Sequence, residues 1–177
     1  MSDIEPQTTL RGHSASITRI VVSSKGIVFS ASLDSTIRTW AVPPTSHITY
    51  SAFDISLVKN ILVGHTDAVW DLALLRDDTV LVSVGAEGAA KVWDVSSGNG
   101  SGALRLTWGY TGVGGSGTAG DGVGATSVEG IKTDWKKIAV AYTDAIVKIF
   151  ELETGAEVGR LQSDSTYGML VLSPEFD

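Results

Sequence analysis

The chain repeats itself, and this repeat is the feature that most constrains its fold. A Gly-His pair occurs at positions 12–13 and again at 64–65, and a tryptophan follows each histidine after 27 or 28 residues, at Trp40 and Trp93. An acid stands six residues before each tryptophan, at Asp34 and Glu87. Three apolar positions also keep their offsets from the histidine: Ile17, Ile20 and Val22 in the first copy, and Val69, Leu72 and Leu74 in the second. The sequence therefore contains two copies of one structural unit.

A third, weaker copy follows the first two. Asp144 precedes Phe150 by six residues, and phenylalanine can fill the aromatic position of tryptophan. We expect the other landmarks of this copy at Val128 and Ile131 for the first two apolar positions, at Thr133 for the third, and at Val123–Gly124 for the Gly-His pair.

Short β-strands separated by tight turns account for each copy. Runs rich in β-branched and aromatic residues predict strands at 16–22, 27–32, 36–42, 61–63, 68–74, 79–85, 89–95, 104–108, 137–143, 145–152 and 157–161. No stretch shows a sustained helical period with capping residues. The sequence therefore predicts an all-β repeat protein made of about three four-stranded antiparallel sheets.

The pattern of the units resembles the blades of WD-repeat β-propellers over residues 8 to 163. The segment VWDV at 92–95 carries the Trp-Asp pair, whereas the first copy has Trp40–Ala41 and the third has Phe150–Glu151. This resemblance implies a single partial propeller domain over 1–177, with blade-like units at about 8–63, 64–108 and 124–163 and the start of a further blade at 164–177. Three blades cannot close a ring, so we expect an open arc, and we hypothesise a truncated gene product.

The resemblance also assigns the histidines. In the WD-repeat family a histidine, a strand serine or threonine, the turn acid and the tryptophan form a hydrogen-bonded tetrad. The implied members here are His13, Asp34 and Trp40 with Ser30 or Ser32, and His65, Ser83, Glu87 and Trp93. A hydrolytic triad of His65, Ser83 and Glu87 is the alternative. Because the same residue types recur at the same spacing in the first copy, the structural interpretation is favoured and no catalytic residue is expected.

A glycine-rich tract at 98–124 contains GVGGSG at 112–117, which matches the G-x-G-x-x-G dinucleotide fingerprint. That motif binds pyrophosphate by opening a helix, and the sequence that follows is a poor helix former. We therefore predict a flexible insertion between blades and no cofactor. His47, near Pro43–Pro44, is expected to be a solvated loop residue, and three scattered histidines do not indicate a metal site.

Composition excludes several function classes. The net charge of −7 disfavours contact with a phosphate backbone, so no nucleic-acid partner is expected. The chain has no cysteine, which removes disulfides, thiolate metal sites and cysteine nucleophiles. The N-terminal segment MSDIEPQTTL lacks the features of a secretory signal, and no apolar run reaches the ~20 residues of a membrane helix. We expect a cytoplasmic protein that does not insert into membranes.

Longer stretches resemble part of the C-terminal propeller of the striatins. They are SSKGIVFSASLDSTIRTW, YSAFDISLVKNILVGHTDAVWDLALL and GATSVEGIKTDWKKIAVAYTDAIVKIFELETG, in the order found in that family. The resemblance implies a non-catalytic scaffold that binds protein phosphatase 2A and kinase subunits of a striatin-type assembly. A ubiquitin-ligase substrate receptor or a trafficking subunit is the alternative. We expect contacts at the Asp77–Asp78 turn, at the 43–60 insertion and at residues of the blade edges, and the sequence leaves the oligomeric state open.

Overall fold

The computed structural model describes residues 10–41, 58–110, 122–163 and 170–172. Within these ranges the chain forms thirteen β-strands and no helix. The strands are β1 (Ile17–Val22), β2 (Ile27–Ser32), β3 (Thr36–Ala41), β4 (Val58–Val63), β5 (Val69–Leu75), β6 (Val80–Gly85), β7 (Ala89–Asp94), β8 (Ala103–Gly109), β9 (Ala125–Gly130), β10 (Lys137–Tyr142), β11 (Ile146–Glu151), β12 (Glu157–Ser163) and β13 (Leu170–Leu172). The predicted all-β architecture is confirmed.

Each sheet is an antiparallel meander in chain order. Sheet 1 contains β1 to β4, sheet 2 contains β5 to β8, and sheet 3 contains β9 to β12 with β13 added beside β12. Two strands had no counterpart in the sequence prediction. Strand β9 was missed, and β13, within the segment expected to begin a further blade, pairs with β12.

The turn between the second and third strands has the same geometry in all three sheets. Ser35, Gly88 and Ala145, each five residues before the sheet's aromatic landmark, have φ values of 66°, 79° and 64°. This left-handed conformation costs little for glycine and more for residues with a Cβ. The turn therefore brings the acid of each copy back toward the strands at a fixed position.

Two apolar cores lie between the sheets. Phe29, Ala31 and Ile37 of sheet 1 pack with four residues of sheet 2 and with the residue that follows β7; these are Val69, Leu72, Leu81 and Trp93, and Val95. The opposite face of sheet 2 packs against sheet 3, and that core contains Val82, Val84, Ala90, Val92, Val128, Ile138, Val140 and Phe150. Sheet 2 is therefore covered on both faces.

The landmarks expected in the third copy were three residues out of register. Val128 pairs with Val140, as Ile20 pairs with Ser30 and Leu72 with Ser83. Val128 therefore corresponds to the second apolar position rather than the first, and Ile131 follows the end of β9. The carbonyl of Gly124 accepts a hydrogen bond from Thr143, a role taken by Ser16 and Ala68 in the other sheets. The histidine position of this copy thus falls at 121, which lies outside the described residues.

Several sequence expectations concern residues outside the described ranges. They include His47 with most of the 43–60 insertion, the GVGGSG segment at 112–117, and most of 164–177. None of the described segments forms a helix that could span a bilayer.

Candidate functional site

The structure brings His13, Ser30, Asp34 and Trp40 together at one edge of sheet 1. His13 precedes β1, Ser30 lies in β2, Asp34 lies in the following turn and Trp40 lies in β3. The imidazole Nδ1 is 2.8 Å from Asp34 Oδ2, and Nε2 is 2.8 Å from Ser30 Oγ. Trp40 Nε1 donates to the same hydroxyl at 2.9 Å. Four residues that are up to 27 positions apart in the chain therefore form one hydrogen-bonded series.

The chemistry of these groups sets the direction of the series. An ionised carboxylate can only accept, so Nδ1 of His13 carries the proton donated to Asp34. Nε2, the other ring nitrogen, forms its hydrogen bond with the Ser30 hydroxyl. The Ser30 oxygen in turn accepts from the indole N–H of Trp40. Each polar group of the series therefore has a hydrogen-bond partner.

Asp34 is held in its ionised form by its neighbours. Burial by itself would raise the pKa of Asp34, but hydrogen bonds outweigh it and keep the pKa well below its usual range. The donors are the Thr36 hydroxyl at 2.6 Å, the His13 ring, and the backbone N–H groups of Ser14 and Thr36, each at 3.0 Å. Asp34 thus connects its turn to the segment before β1, through His13 and Ser14, and to the start of β3, through Thr36.

Sheet 2 holds the second set in the same arrangement. His65 Nδ1 is 2.5 Å from Glu87 Oε1, Nε2 is 2.6 Å from Ser83 Oγ, and Trp93 Nε1 donates to Ser83 at 2.9 Å. Burial would raise the pKa of Glu87, and the hydrogen bond and charge interaction with His65 lower it below its ordinary value. Both histidines therefore lie between a carboxylate and a buried serine.

A glycine accommodates the longer acid of the second set. Glu87 is one methylene longer than Asp34, and Gly85 stands where sheet 1 has Ser32. A Cβ at position 85 would collide with the Glu87 carboxylate and lie 2.8 Å from His65 Nδ1. The missing side chain thus provides the space that the extra methylene needs.

The alternative between Ser30 and Ser32 is resolved in favour of Ser30 as the partner of His13. Ser32 Oγ instead donates to the Ala15 carbonyl at 3.2 Å and accepts from the Asp34 N–H at 3.1 Å. Ser32 therefore holds the turn that carries the acid.

Sheet 3 replaces the serine and the tryptophan together. Val140 and Phe150 occupy the positions of Ser30 and Trp40, ten residues apart, and both are buried. Removing both partners of a buried hydrogen bond leaves neither unsatisfied. The remaining acid, Asp144, accepts from the Tyr110 hydroxyl at 3.0 Å. The turn of sheet 3 is thus tied to the neighbouring sheet instead of to an imidazole.

The chemical capacity of both sets is limited by burial. Ser30 is 2% exposed and Ser83 is fully buried, so an outside substrate cannot reach either hydroxyl.

Among the described residues, no three His, Asp or Glu side chains converge as metal ligands. A cavity of about 110 Å³ beside Arg76 and Glu153 is smaller than the ~300 Å³ of typical ligand pockets.

Asp71 is a site residue that the sequence analysis missed. It lies in β5, only 8% exposed, and accepts hydrogen bonds from Ser127 Oγ at 2.7 Å and from the Val128 N–H at 3.0 Å. On its other side, Arg19 Nε lies 3.1 Å from Asp71 Oδ1. Arg19, Asp71 and Ser127 each precede the equivalent apolar position of β1, β5 and β9. One carboxylate therefore links β1, β5 and β9, the first strands of the three sheets.

Two tryptophans lie outside both cores. Trp70 is 42% exposed at a β-bulge in β5, between Val69 and Asp71. Trp135 is 62% exposed in the turn after β9, with the Arg76 guanidinium 4.8 Å from its ring centre. They lie at opposite ends of the strands.

Three antiparallel sheets joined in series, two of them carrying a His-Ser-acid-Trp set, define a partial WD-repeat β-propeller. The comparison with protein families agrees with this class. Residues 4–41 and 56–94 match the family described as WD domain, G-beta repeat. The two matches contain both tetrads, whereas sheet 3 lies outside them.

Among known proteins, the chain is similar to striatins. It is 30% identical over 168 residues to human Striatin-3, and 28% identical over 167 residues to human Striatin-4. Each alignment covers 94% of this chain. Mouse Striatin is 35% identical over 95 residues, which is 53% of this chain. The chain spans about a fifth of the length of Striatin-3 and Striatin-4, 20% and 21% respectively.

Proposed function

We propose that this chain is a non-catalytic scaffold module that binds other proteins. The observation that carries the proposal is that both histidines are hydrogen-bonded to an acid and a serine of their own sheet. Ser30 and Ser83, the hydroxyls that a hydrolase would use from these two sets, are buried and hydrogen-bonded within their own sheets. What remains available to a partner is the surface of the loops and strand edges.

The similarity to striatins supports a more specific proposal. The partners are the phosphatase and kinase subunits of a striatin-type assembly in the cytoplasm, with protein phosphatase 2A among them. The alignment with Striatin-3 covers 94% of this chain, so it includes sheets 1 and 2, which are formed by the two segments that match the WD-repeat family. The net charge of −7 favours partners with basic rather than acidic surfaces.

Trp70 is the proposed anchor of the contact surface. Tryptophan is enriched among the residues that dominate binding energy, and the 42% exposed indole at the bulge of β5 is accessible to a partner's pocket. Thr66 and Asp67, which are exposed at the same end of β5, provide a polar rim. The Asp77–Asp78 turn lies at the other end of β5 and is less suited, since Asp78 already accepts from the Ser24 N–H.

Capture experiments with the tagged chain test this proposal. We expect phosphatase and kinase subunits to co-purify with it, and Trp70→Ala to reduce their yield at least tenfold, the loss of about 1.4 kcal/mol or more that defines an interface anchor. Trp135→Ala is the matched control, since it removes an exposed indole from the opposite end of the strands. Equal yields from both variants would refute the assignment of Trp70, and the absence of these subunits would refute the striatin-type assembly.

A further inference from the structure

A cavity of about 110 Å³ lies between sheets 2 and 3. Its walls come from these two sheets and from the turns that follow β5 and β11, and they include Arg76, Val92, Arg105, Leu106, Leu152 and Glu153. Both walls belong to a junction inside the chain, where the two sheets pack on each other. Because the cavity is well below the ~300 Å³ of typical small-molecule sites, it fits a side chain or a short piece of backbone rather than a metabolite.

The equivalent place between sheets 1 and 2 is filled by the chain itself. Thr39 of sheet 1 and Val92 of sheet 2 both precede the tryptophan of their sheet, and each faces the sheet that follows. The Thr39 hydroxyl donates to the Gly100 carbonyl at 2.7 Å. A Cβ at position 100 would lie 2.8 Å from Thr39 Oγ1 and 3.2 Å from Lys59 Cβ. The loop after β7 therefore lays a glycine backbone directly on sheet 1.

The corresponding turn of sheet 3 is shorter. The β7–β8 loop spans 95–102, whereas the β11–β12 turn spans only 152–156. Leu152 and Glu153 reach the wall of the cavity, but no residue of this turn occupies the place before Val92 that Gly100 occupies before Thr39. The cavity thus has the location of a segment of peptide backbone that the first junction supplies from its own loop.

The charges around the cavity favour an acidic ligand. Arg105 is the bulge residue of β8, is exposed, and makes no hydrogen bond or ion pair with another described residue. Arg76 Nη1 binds the Glu153 carboxylate, while Nε and Nη2, which form one edge of the guanidinium, have no hydrogen-bond partner among the described residues. The hydrogen bond and charge of Arg76, with the charge of Arg105, lower the pKa of Glu153. Two guanidinium groups and one carboxylate leave a surplus of positive charge.

We propose that this cavity binds an acidic segment of a protein partner. A glutamate or aspartate carboxylate of that segment pairs with the Arg105 guanidinium, which suits two parallel hydrogen bonds to a carboxylate. The backbone beside it takes the place before Val92 that Gly100 takes before Thr39. The site lies at the opposite end of β5 from Trp70 and does not depend on the partners proposed for that surface. It is locally cationic although the chain has a net charge of −7.

Fluorescence anisotropy with short labelled peptides tests the proposal on the 177-residue chain. The probe is a hexapeptide of alternating glycine and glutamate, and the same peptide with glutamine is expected to bind at least about tenfold more weakly. Arg105→Gln is expected to weaken binding of the glutamate peptide by a similar factor. Lys59→Gln is the matched control, because it makes the same charge change at the equivalent bulge of sheet 1, where Gly100 already fills the junction. Its effect is expected to stay within about twofold, since exposed charges at a distance are screened.

Glu153→Gln provides a test in the opposite direction. The substitution removes the carboxylate that competes for Arg76 and keeps an oxygen that accepts its hydrogen bond, so binding of the glutamate peptide is expected to become severalfold tighter. Circular dichroism checks that both variants are folded, which their exposed positions favour. Equal effects of Arg105→Gln and Lys59→Gln, or weaker binding by Glu153→Gln, would overturn the site. Binding of a phosphoserine peptide without binding of the glutamate peptide would overturn the choice of a carboxylate.

Discussion

Replacing His65 by alanine tests the structural role of the second tetrad. The substitution removes the contact of 2.5 Å to the Glu87 carboxylate and the contact of 2.6 Å to the Ser83 hydroxyl. A hydrogen bond to a charged group contributes ~1.5–3 kcal/mol to the free energy of unfolding, and one between neutral groups ~0.5–1.5 kcal/mol. The sum indicates a loss of about 2–4.5 kcal/mol. For a chain of this length, that lowers Tm by roughly 4–18 °C.

Thermal unfolding followed by circular dichroism measures this loss. Thr66→Ala is the matched control, because it changes the adjacent, exposed residue and is expected to alter the free energy of unfolding by less than ~0.5 kcal/mol. A double-mutant cycle with Glu87→Ala adds a second criterion, since residues in one network couple by ~0.5–3 kcal/mol. An unchanged Tm, or strictly additive effects of the two substitutions, would refute the reasoning. Loss of an enzymatic turnover without loss of stability would favour the hydrolase interpretation.

Two further perturbations have defined outcomes. The pKa values of Asp34 and Glu87 are lowered in the folded chain, so the stability they contribute is present above their ordinary values of 3.8 and 4.5 and is lost as the pH falls below them. Urea unfolding at stepped pH checks this, and the stability of an Asp34→Asn variant is expected to fall less over the same acidic range. Asp71→Ala leaves Arg19 and the Val128 N–H without their carboxylate and is expected to cost about 2–3 kcal/mol, with Asp71→Asn retaining part of the stability. An Asp71→Ala chain as stable as the original in chemical denaturation would show that this link between the sheets contributes nothing.

The first two sheets could be predicted from the sequence because their landmarks recur at nearly constant spacing. The histidine, serine, acid and tryptophan offsets are set by strand lengths and by one turn geometry, and these are local properties. Ser30 and Ser32 lie on the same face of β2, since strand side chains alternate with a period of two. Spacing from the tryptophan distinguishes them, because Ser30 and Ser83 both stand ten residues before it.

Other features depend on long-range contacts or on coincidence. Asp71 contacts Ser127, 56 residues later, and nothing in the local sequence around either residue indicates that pairing. In the third copy, apolar residues three positions apart allowed an incorrect register, and the pairing of Val128 with Val140 and the hydrogen bond from Thr143 to the Gly124 carbonyl correct it. This copy lacks the hydrogen-bonded set, and the sequence signals this because Val140 replaces the serine and Phe150 replaces the tryptophan.

Exchange of the indole N–H protons, observed by NMR, tests the central claim most directly. If the tetrads are internal supports of the sheets, the Trp40 and Trp93 indole protons are bonded to buried serines and exchange slowly with solvent. The exposed indoles of Trp70 and Trp135 serve as rapidly exchanging references in the same spectrum. His65→Ala is expected to accelerate exchange at Trp93 far more than at Trp40. Exchange at Trp40 and Trp93 as fast as at the two exposed indoles would contradict the account.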